Sequence, residues 1–352
     1  MKKSLTKLKI AIVSATLPRK NLKPGGVDVV VDRLASALAK DNDVTVLSLT
    51  PAPVNAIYKN KVFFIKFKLI HKSTILRTLL WPILLNFISF ETYDVIHFHG
   101  DDWFFIRRTK PTTRTFHGSA KFEAKFAARW RRKISQSLFF LLEKISASLA
   151  TIPVAINEQT AKIYQIKEII GHGVDHNLFK PGKKTAFPSI LFVGTWLGRK
   201  RGKLIFDLFC QKILPVLPKA KLYMVSDFCP KNENVIWVKN PDDKKLANFY
   251  RQSWIFCYPS LYEGFGLCYL EAMASATAVL ASPNFSSRKL LDKESIVSDT
   301  KLEKSIIDIM TNTDKREKMV QKGLKIAKKF SWAKIALQYK NIYNKAIKKF
   351  ES

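Results

Sequence analysis

Two successive series of short apolar runs, each run followed by an amphipathic helical pattern, restrict this chain more than any other feature. Strands buried on both faces read as continuous apolar stretches, and a strand that leads into a helix packs beside a parallel neighbour with the helix laid over the sheet. Lys9–Ser14, Val44–Ser48, Val95–His99, Arg114–His117 and Pro153–Asn157 form the first series. The second begins at Ser189 with "SILFVG" and continues through "KLYMVS", "VIWVK", "WIFCYPS" and "AVLAS". The expectation is an α/β protein of two Rossmann-like, doubly wound domains, residues 1–182 and 183–330. Between them Gly173 to Pro188, rich in proline, glycine and lysine, suits a hinge. A closing helix within 331–352 carries Ile335, Tyr339, Ile342, Tyr343 and Ile347 at helical spacing and should cross back to pack on the first domain. A length of 352 residues suits two cores of ordinary size.

Composition narrows the surroundings. Hydrophobic residues make up 47% of the chain, which places it with globular proteins rather than disordered ones. Cys210, Cys229, Cys257 and Cys268 form no CxxC pair and have no histidines at zinc spacing, so they read as small buried residues of a reducing, cytoplasmic compartment. No metal is expected. The basic start "MKKSLTKLKIAIVSATL" has too short an apolar run for a secretory signal and reads as a first strand. The most apolar segment, Thr74 to Phe90, is interrupted by Arg77 and Pro82 and falls short of a membrane span. A net charge of +32 attracts polyanions of any kind, whether nucleic acid, anionic lipid or phosphorylated metabolites, and does not choose among them.

Chemistry in an open α/β sheet collects beyond the carboxyl ends of the strands. "WIFCYPS" is such a strand and "LYEGFG" the turn after it, with Glu263 on the turn and Glu271 in the helix that follows. Gly264 and Gly266 allow close backbone approach, and the N–H groups opening the helix at Leu267 favour a diphosphate. A carboxylate beside phosphate would be repelled by it, so Glu263 and Glu271 read as acceptors for sugar hydroxyls; a solvent-facing glutamate and a helix-capping one are the plainer alternative. "FVGTWLGRKRGKLIF" places Arg199, Lys200 and Arg201 between a strand and a helix, where cations oppose the helix dipole, so that three merely solvated charges are the less favourable reading. Gly25 and Gly26, before a helix with Val30, Leu34 and Leu38 on one face, form a second place where phosphate could meet a helix start.

"PSLYEGFGLCYLEAMAS" resembles the E-x7-E segment of the family-4, or group 1, glycosyltransferases, which have the two-domain GT-B fold with the domains facing a cleft. "PGGVDVVVDRLASALA", "DVIHFHG", "RTFHGS", "VAINEQTAK", "GHGVDHNLFKP" and "FSWAKIALQYKNIY" are similar to further family segments in the same order. The resemblance implies a retaining transfer of a hexose-type sugar from a nucleotide-sugar donor bound by the second domain, with no cofactor and no metal. Glu263 would contact the donor sugar, Glu271 the ribose, and the amides of Gly264, Phe265 and Gly266, with Leu267, the sugar and phosphates. His117 matches the family histidine near the donor sugar, Gly25 and Gly26 the loop over the diphosphate, and Arg201, before Gly202, the family's Lys-Gly. Departures are Thr195 where the family has arginine, His172 where it has asparagine, and "SPNFSSRKLLDKESIV" where it has a glycine-rich segment.

The acceptor side offers electrostatic hints. Lys121 to Lys144 mixes Lys125, Arg129, Arg131, Arg132 and Lys133 with Phe122, Phe126, Trp130, Phe139 and Phe140. That mixture suits an anionic membrane surface, or an ordinary helix with a basic solvent face. The expectation is a peripheral cytoplasmic enzyme that extends a lipid-linked or envelope glycan, with no nucleic-acid partner. A basic nucleic-acid-binding protein and a catalytically idle GT-B scaffold are the rivals; neither uses the glutamate pair.

Overall fold

The structure, a computed structural model, describes residues 7–18, 25–63, 74–126 and 130–352. It divides into two units, one of Met1–Lys125, Arg129–His172 and Trp332–Ser352, the other of Phe126–Ala128 and Gly173–Ser331. The second unit starts ten residues before the join expected from sequence, because Val174, Leu178 and Phe179 pack into its core.

The first unit is built on β1 (Lys9–Val13), α1 (Gly26–Leu38), β2 (Asp43–Ser48), β3 (Lys59–Val62), α2 (Thr74–Leu84), β4 (Val95–Phe98), β5 (Thr112–Phe116), α3 (Ala120–Lys125), α4 (Trp130–Leu149), β6 (Ile152–Ala155), α5 (Glu158–Tyr164) and β7 (Glu168–Ile169). All strands are parallel, in the order β3-β2-β1-β4-β5-β6-β7, with Ile10 level with both Val44 and Val95. The order reverses between β1 and β4, the two central neighbours. β1 is apolar throughout its buried positions, as a strand covered on both faces requires, and β4 is apolar apart from buried His97. β3 and β7 escape a hydrophobic reading because they are edges: "KNKV" alternates charge with half-buried positions, and β7 is two residues long.

The second unit comprises β8 (Ser189–Val193), α6 (Gly202–Leu208, continued by a π-helical turn), β9 (Lys221–Val225), β10 (Val235–Val238), α7 (Asp243–Gln252), β11 (Ile255–Tyr258), α8 (Leu267–Ala274), β12 (Ala278–Ala281), α9 (Phe285–Leu290), α10 (Asp299–Thr311) and α11 (Thr313–Ala327). Its parallel sheet runs β10-β9-β8-β11-β12 and reverses between β8 and β11, where Ile255 is level with Ile190. The last helix, α12 (Trp332–Glu351), belongs to the first unit. Its buried face, Ile335, Tyr339, Ile342 and Tyr343, shares a core with Val31, Leu34 and Leu38 of α1.

The segment Thr74 to Phe90 forms α2 with Pro82 inside it and a 3-10 turn at Leu85–Phe87, and it buries Trp81 and Leu85. Among the described residues no helix is long and apolar enough to cross a membrane.

Candidate functional site

The switch point of the second sheet gathers most of the residues singled out in sequence. The loop after β8 and the loop after β11 leave the same edge of a parallel sheet as neighbours, so their side chains must meet. The first loop is tightly folded. A Cβ on Gly194 would lie 2.6 Å from the Phe192 ring, and one on Gly202 would lie 2.9 Å from the Thr195 carbonyl. Thr195, in the family's arginine position, instead closes the turn through its hydroxyl onto the Leu197 carbonyl (2.8 Å).

Glu263 is the centre. Its Oε1 accepts from Lys200 Nζ (2.5 Å), Arg199 Nη1 (3.1 Å) and Ser260 Oγ (2.5 Å). Lys200 also donates to the Tyr258 hydroxyl, and Arg199 to the Tyr262 carbonyl (2.5 Å). Burial alone would raise the Glu263 carboxyl; Lys200 and then Arg199 outweigh it, and the group titrates below the usual glutamate range. Ser286 Oγ donates to the Glu263 carbonyl (2.7 Å), and Asn284 Nδ2 to the Ser260 carbonyl (2.9 Å), so the stretch that departs from the family's glycine-rich segment braces the turn with side chains instead. Ser260, Tyr258, Asn284 and Ser286 were not legible as site residues: serine and asparagine in a turn carry no signal beyond the turn itself.

Arg201 does not join this cluster. It binds Asp299 through both nitrogens (2.5 and 2.9 Å), Ser282 Oγ (2.8 Å) and the Pro259 carbonyl (2.6 Å), in a left-handed conformation at φ 58°. Arg199 and Lys200 are therefore the cationic partners of Glu263, while Arg201, at the turn into α6, bonds Asp299, Ser282 and Pro259.

The glycine turn ends at Gly266, φ 96°, where a Cβ would lie 2.5 Å from the Tyr269 ring, so only glycine fits. Leu267 then opens α8, with Gly264 and Phe265 in the turn before it. Glu271 is the fifth residue of α8, half-buried, and its charge adds to the effects of burial and Cys268 in raising the Tyr250 phenol. Burial pushes the thiols of Cys229 to about 11 and Cys268 to about 12, which makes them packing groups at neutral pH.

In the first unit, Gly25 caps α1, but the Asp28 carboxylate accepts from Gly25 N (3.0 Å) and from Thr16 Oγ1 (2.7 Å), so an acid already occupies part of that helix start. The position of a Gly26 Cβ faces open space.

His117 sits in a file of rings that runs beside α12: His97 on β4, His99 just past it, His117 just past β5, and His172 beyond β7, with ring centroids 4.1, 5.1 and 5.3 Å apart, closed by Trp332 at 6.3 Å. His97 bonds the Tyr343 hydroxyl (2.7 Å) and Thr115 Oγ1 (2.8 Å). His99 Nδ1 meets His117 Nε2 at 2.9 Å, and His117 Nδ1 approaches His172 Nε2 at 3.5 Å. Burial holds all four rings well below the normal histidine range, His172 at about 3, so they are neutral at physiological pH. His99 Nε2 is buried with no hydrogen-bond partner among the described residues, and a proton left there would be an unsatisfied donor. The arrangement that avoids such a donor puts the proton on Nδ1, donated to His117 Nε2, with His117 carrying its own on Nδ1, toward His172. Both nitrogens of His117 are thus directed at other histidines, and the ring contributes no charge. His97, His99 and His172 went unassigned in the sequence because strand-end histidines distant in sequence reveal no stacking.

Of the basic group around α4, Lys125, Trp130, Arg131, Arg132 and Lys133 lie on α3 and α4, and Arg132 pairs with Glu123 at 3.3 Å; Arg129 lies outside the described residues. Among the described residues no cluster of histidine, cysteine or carboxylates could hold a metal ion.

These features define a class. Two parallel α/β units, the second with a cation-gripped carboxylate at its switch point, make the GT-B fold, and solved structures agree. Sucrose-phosphate synthase from Thermosynechococcus elongatus matches with a TM-score of 0.77 at 19% identity, covering 96% of this chain and 99% of that one. WaaG, a glycosyltransferase involved in lipopolysaccharide biosynthesis, matches at 0.71 and 14%, covering 95% and 99%. The chain belongs to the group 1 glycosyltransferases: residues 24–178 match the model of "Glycosyltransferase Family 4" and residues 219–326 that of "Glycosyl transferases group 1". It is 33% identical over 172 residues to O-antigen chain mannosyltransferase B of Escherichia coli, covering 44% of this chain and 45% of that protein. It is 28% identical over 185 residues to the lipopolysaccharide core biosynthesis mannosyltransferase LpcC of Rhizobium leguminosarum bv. viciae, covering 45% and 50%. The chain spans about half the length of these relatives.

Proposed function

We propose that the protein transfers a hexose-type sugar from a nucleotide-diphosphate donor to a glycan or lipid-linked acceptor in cell-envelope polysaccharide or glycolipid synthesis, with retention of configuration, at the cytoplasmic face of a membrane. The observation that carries the reading is the convergence of Arg199 and Lys200 on Glu263 Oε1 at the switch point of the second unit. Two cations held by one ionised carboxylate are kept close together, where a diphosphate could engage both. When donor arrives they transfer part of their hydrogen bonding to its phosphates and stabilise the charge that develops as the glycosidic bond breaks. No metal is needed for that task.

Glu263, relieved of part of its cation contact, then accepts from a sugar hydroxyl. Glu271 accepts from the ribose, and the turn Gly264–Phe265–Gly266 into Leu267 lines the diphosphate. The acceptor hydroxyl attacks from the face the leaving phosphate vacates, with that phosphate taking the proton. The names of the two relatives favour a mannosyl donor, while HepE of Anabaena, a structural neighbour, was crystallised with UDP-glucose.

Calorimetric titration of wild type and Glu271→Ala with UDP, GDP and their sugar conjugates, in salt high enough to suppress nonspecific polyanion binding, tests the reading. Selective binding of one nucleotide, lost in the variant, supports it; no binding to any of them refutes it. An inverted anomer in the product of the active pair would refute the retaining step alone.

A further inference from the structure

Helix α4 turns an unusual face to solvent. Trp130, Ile134, Leu138, Leu141, Ile145 and Leu149 are 40–69% exposed, at spacings of four, four, three, four and four residues. On a helix these positions form one stripe, about 28 Å long at ~1.5 Å per residue. Scattered exposed leucines are ordinary, but a contiguous apolar row on a charged protein marks an interaction surface.

Of the aromatic residues that suggested a membrane surface in the sequence, Trp130 alone is presented. Phe139 stacks on Trp103 (6.1 Å) and Phe140 packs near Tyr164 (6.0 Å), both half-buried beneath the helix, and the exposed row is aliphatic apart from Trp130. A second apolar patch lies elsewhere on the first unit. Phe104 and Ile106, next to Trp103, are exposed, as are Ile83 and Phe87, and the Asn86 side chain ties these two segments together through the Phe104 carbonyl (2.9 Å) and Ile106 N (2.8 Å).

Charge selects the occupant. Lys133 and Lys144 are exposed beside the stripe, and Arg131 lies over the Trp130 ring at 5.4 Å. The one acid of α4, Glu143, is turned inward, where it accepts from Ala120 N (3.0 Å) and the Tyr164 hydroxyl. A second copy of this chain would bring like charges together, since each copy carries +32. An anionic bilayer accepts both features, with acyl chains for the row and headgroups for its basic edge. We infer that α4 lies in the plane of an anionic bilayer with this aliphatic row inserted at the headgroup boundary. The inference rests on the reading of the acceptor as lipid-linked and gives the first unit its means of reaching one.

Sedimentation of the full chain with sucrose-loaded vesicles tests it without any sugar substrate, so it stands or falls separately from the donor chemistry. Vesicles of phosphatidylcholine with phosphatidylglycerol should bind, pure phosphatidylcholine should bind more weakly, and 0.5 M salt, roughly three times physiological strength, should weaken but not abolish binding. Leu138→Ser with Leu141→Ser should lower vesicle affinity about tenfold or more, with unchanged circular dichroism and calorimetric nucleotide binding. Equal binding by the variant means electrostatic adsorption only and overturns insertion, as does failure to bind either vesicle. A dimer seen by sedimentation equilibrium and broken by the same pair would assign the row to a second copy and overturn the proposal.

Discussion

Acidification should unfold the first unit, and the histidine file sets how steeply. In the folded state His97, His99, His117 and His172 are neutral because burial disfavours their charged forms. In the unfolded chain each titrates near ~6.5. A folded pKa depressed below the unfolded value means that the unfolded state binds more protons, so stability falls as pH falls below about 6.5. Four such groups give about four protons taken up on unfolding by roughly pH 5.5. Asp101, raised by burial to about 6, works the other way, because the folded state then holds a proton that the unfolded carboxylate lacks, and Glu143 is raised in the same sense. The net is about three protons or slightly fewer, or ~4 kcal/mol per pH unit at ~1.36 kcal/mol per proton. Against a typical stability of ~5–15 kcal/mol, the first unit should be lost within about one to four pH units below about 6.5. Urea unfolding at a series of pH values, followed by tryptophan fluorescence, measures the slope. His172→Asn, which puts the family's usual residue at that position, should reduce it by about one proton. A flat profile between pH 7 and 5, or an unchanged slope in His172→Asn, would refute the burial argument.

Three further outcomes follow from the geometry. Lys200→Met should weaken nucleoside diphosphate binding about tenfold or more by calorimetry, as expected for loss of a charge-assisted contact of ~1.5–3 kcal/mol, whereas Arg201→Met should leave that affinity within about threefold and lower stability by about 1 kcal/mol; equal effects on affinity would refute the separation of the two side chains. Gly266→Ala, forced into a left-handed conformation against the Tyr269 ring, should cost about 2 kcal/mol in chemical unfolding of the second unit, and a neutral result would show that the turn relaxes freely. Nitrogen-15 NMR of the histidine rings at neutral pH should find His99 and His117 both protonated at Nδ1; a signal from His117 protonated at Nε2 would reverse the direction of the file.

The sheets were legible where their strands are buried on both faces and continuously apolar; "SILFVG" and "WIFCYPS" leave little room for another reading. The edge strands β3 and β7 were not, since edges need polar or short sequences to avoid pairing with other chains. Glu263, Arg199 and Lys200 could be placed from the sequence because they follow strands at a point where topology brings loops together. What failed was orientation. Adjacent Lys200 and Arg201 look equivalent in a row of cations, and only the left-handed turn at Arg201 sends one to Glu263 and the other to Asp299. Orientation was also the difficulty on α4, where the composition is visibly basic and apolar but tertiary packing decides that Phe139 turns in and Leu141 turns out.

The placement of α12 bears on how the molecule is made. The first unit is interrupted by the whole of the second: its sheet ends before His172, yet the helix that covers His97 and Thr115 is supplied by residues 332–351. On a ribosome adding ~5–20 residues per second, the nascent first unit waits roughly 10–40 s for that helix. During this time the Tyr339 and Tyr343 contacts are missing and the face of β4 and β5 that they cover stands open. Gly173–Ser331 is contiguous and can close its own core as it emerges. The order of synthesis and the order of completion are therefore opposite, and chaperone dependence should concentrate on the half of the protein that is translated first.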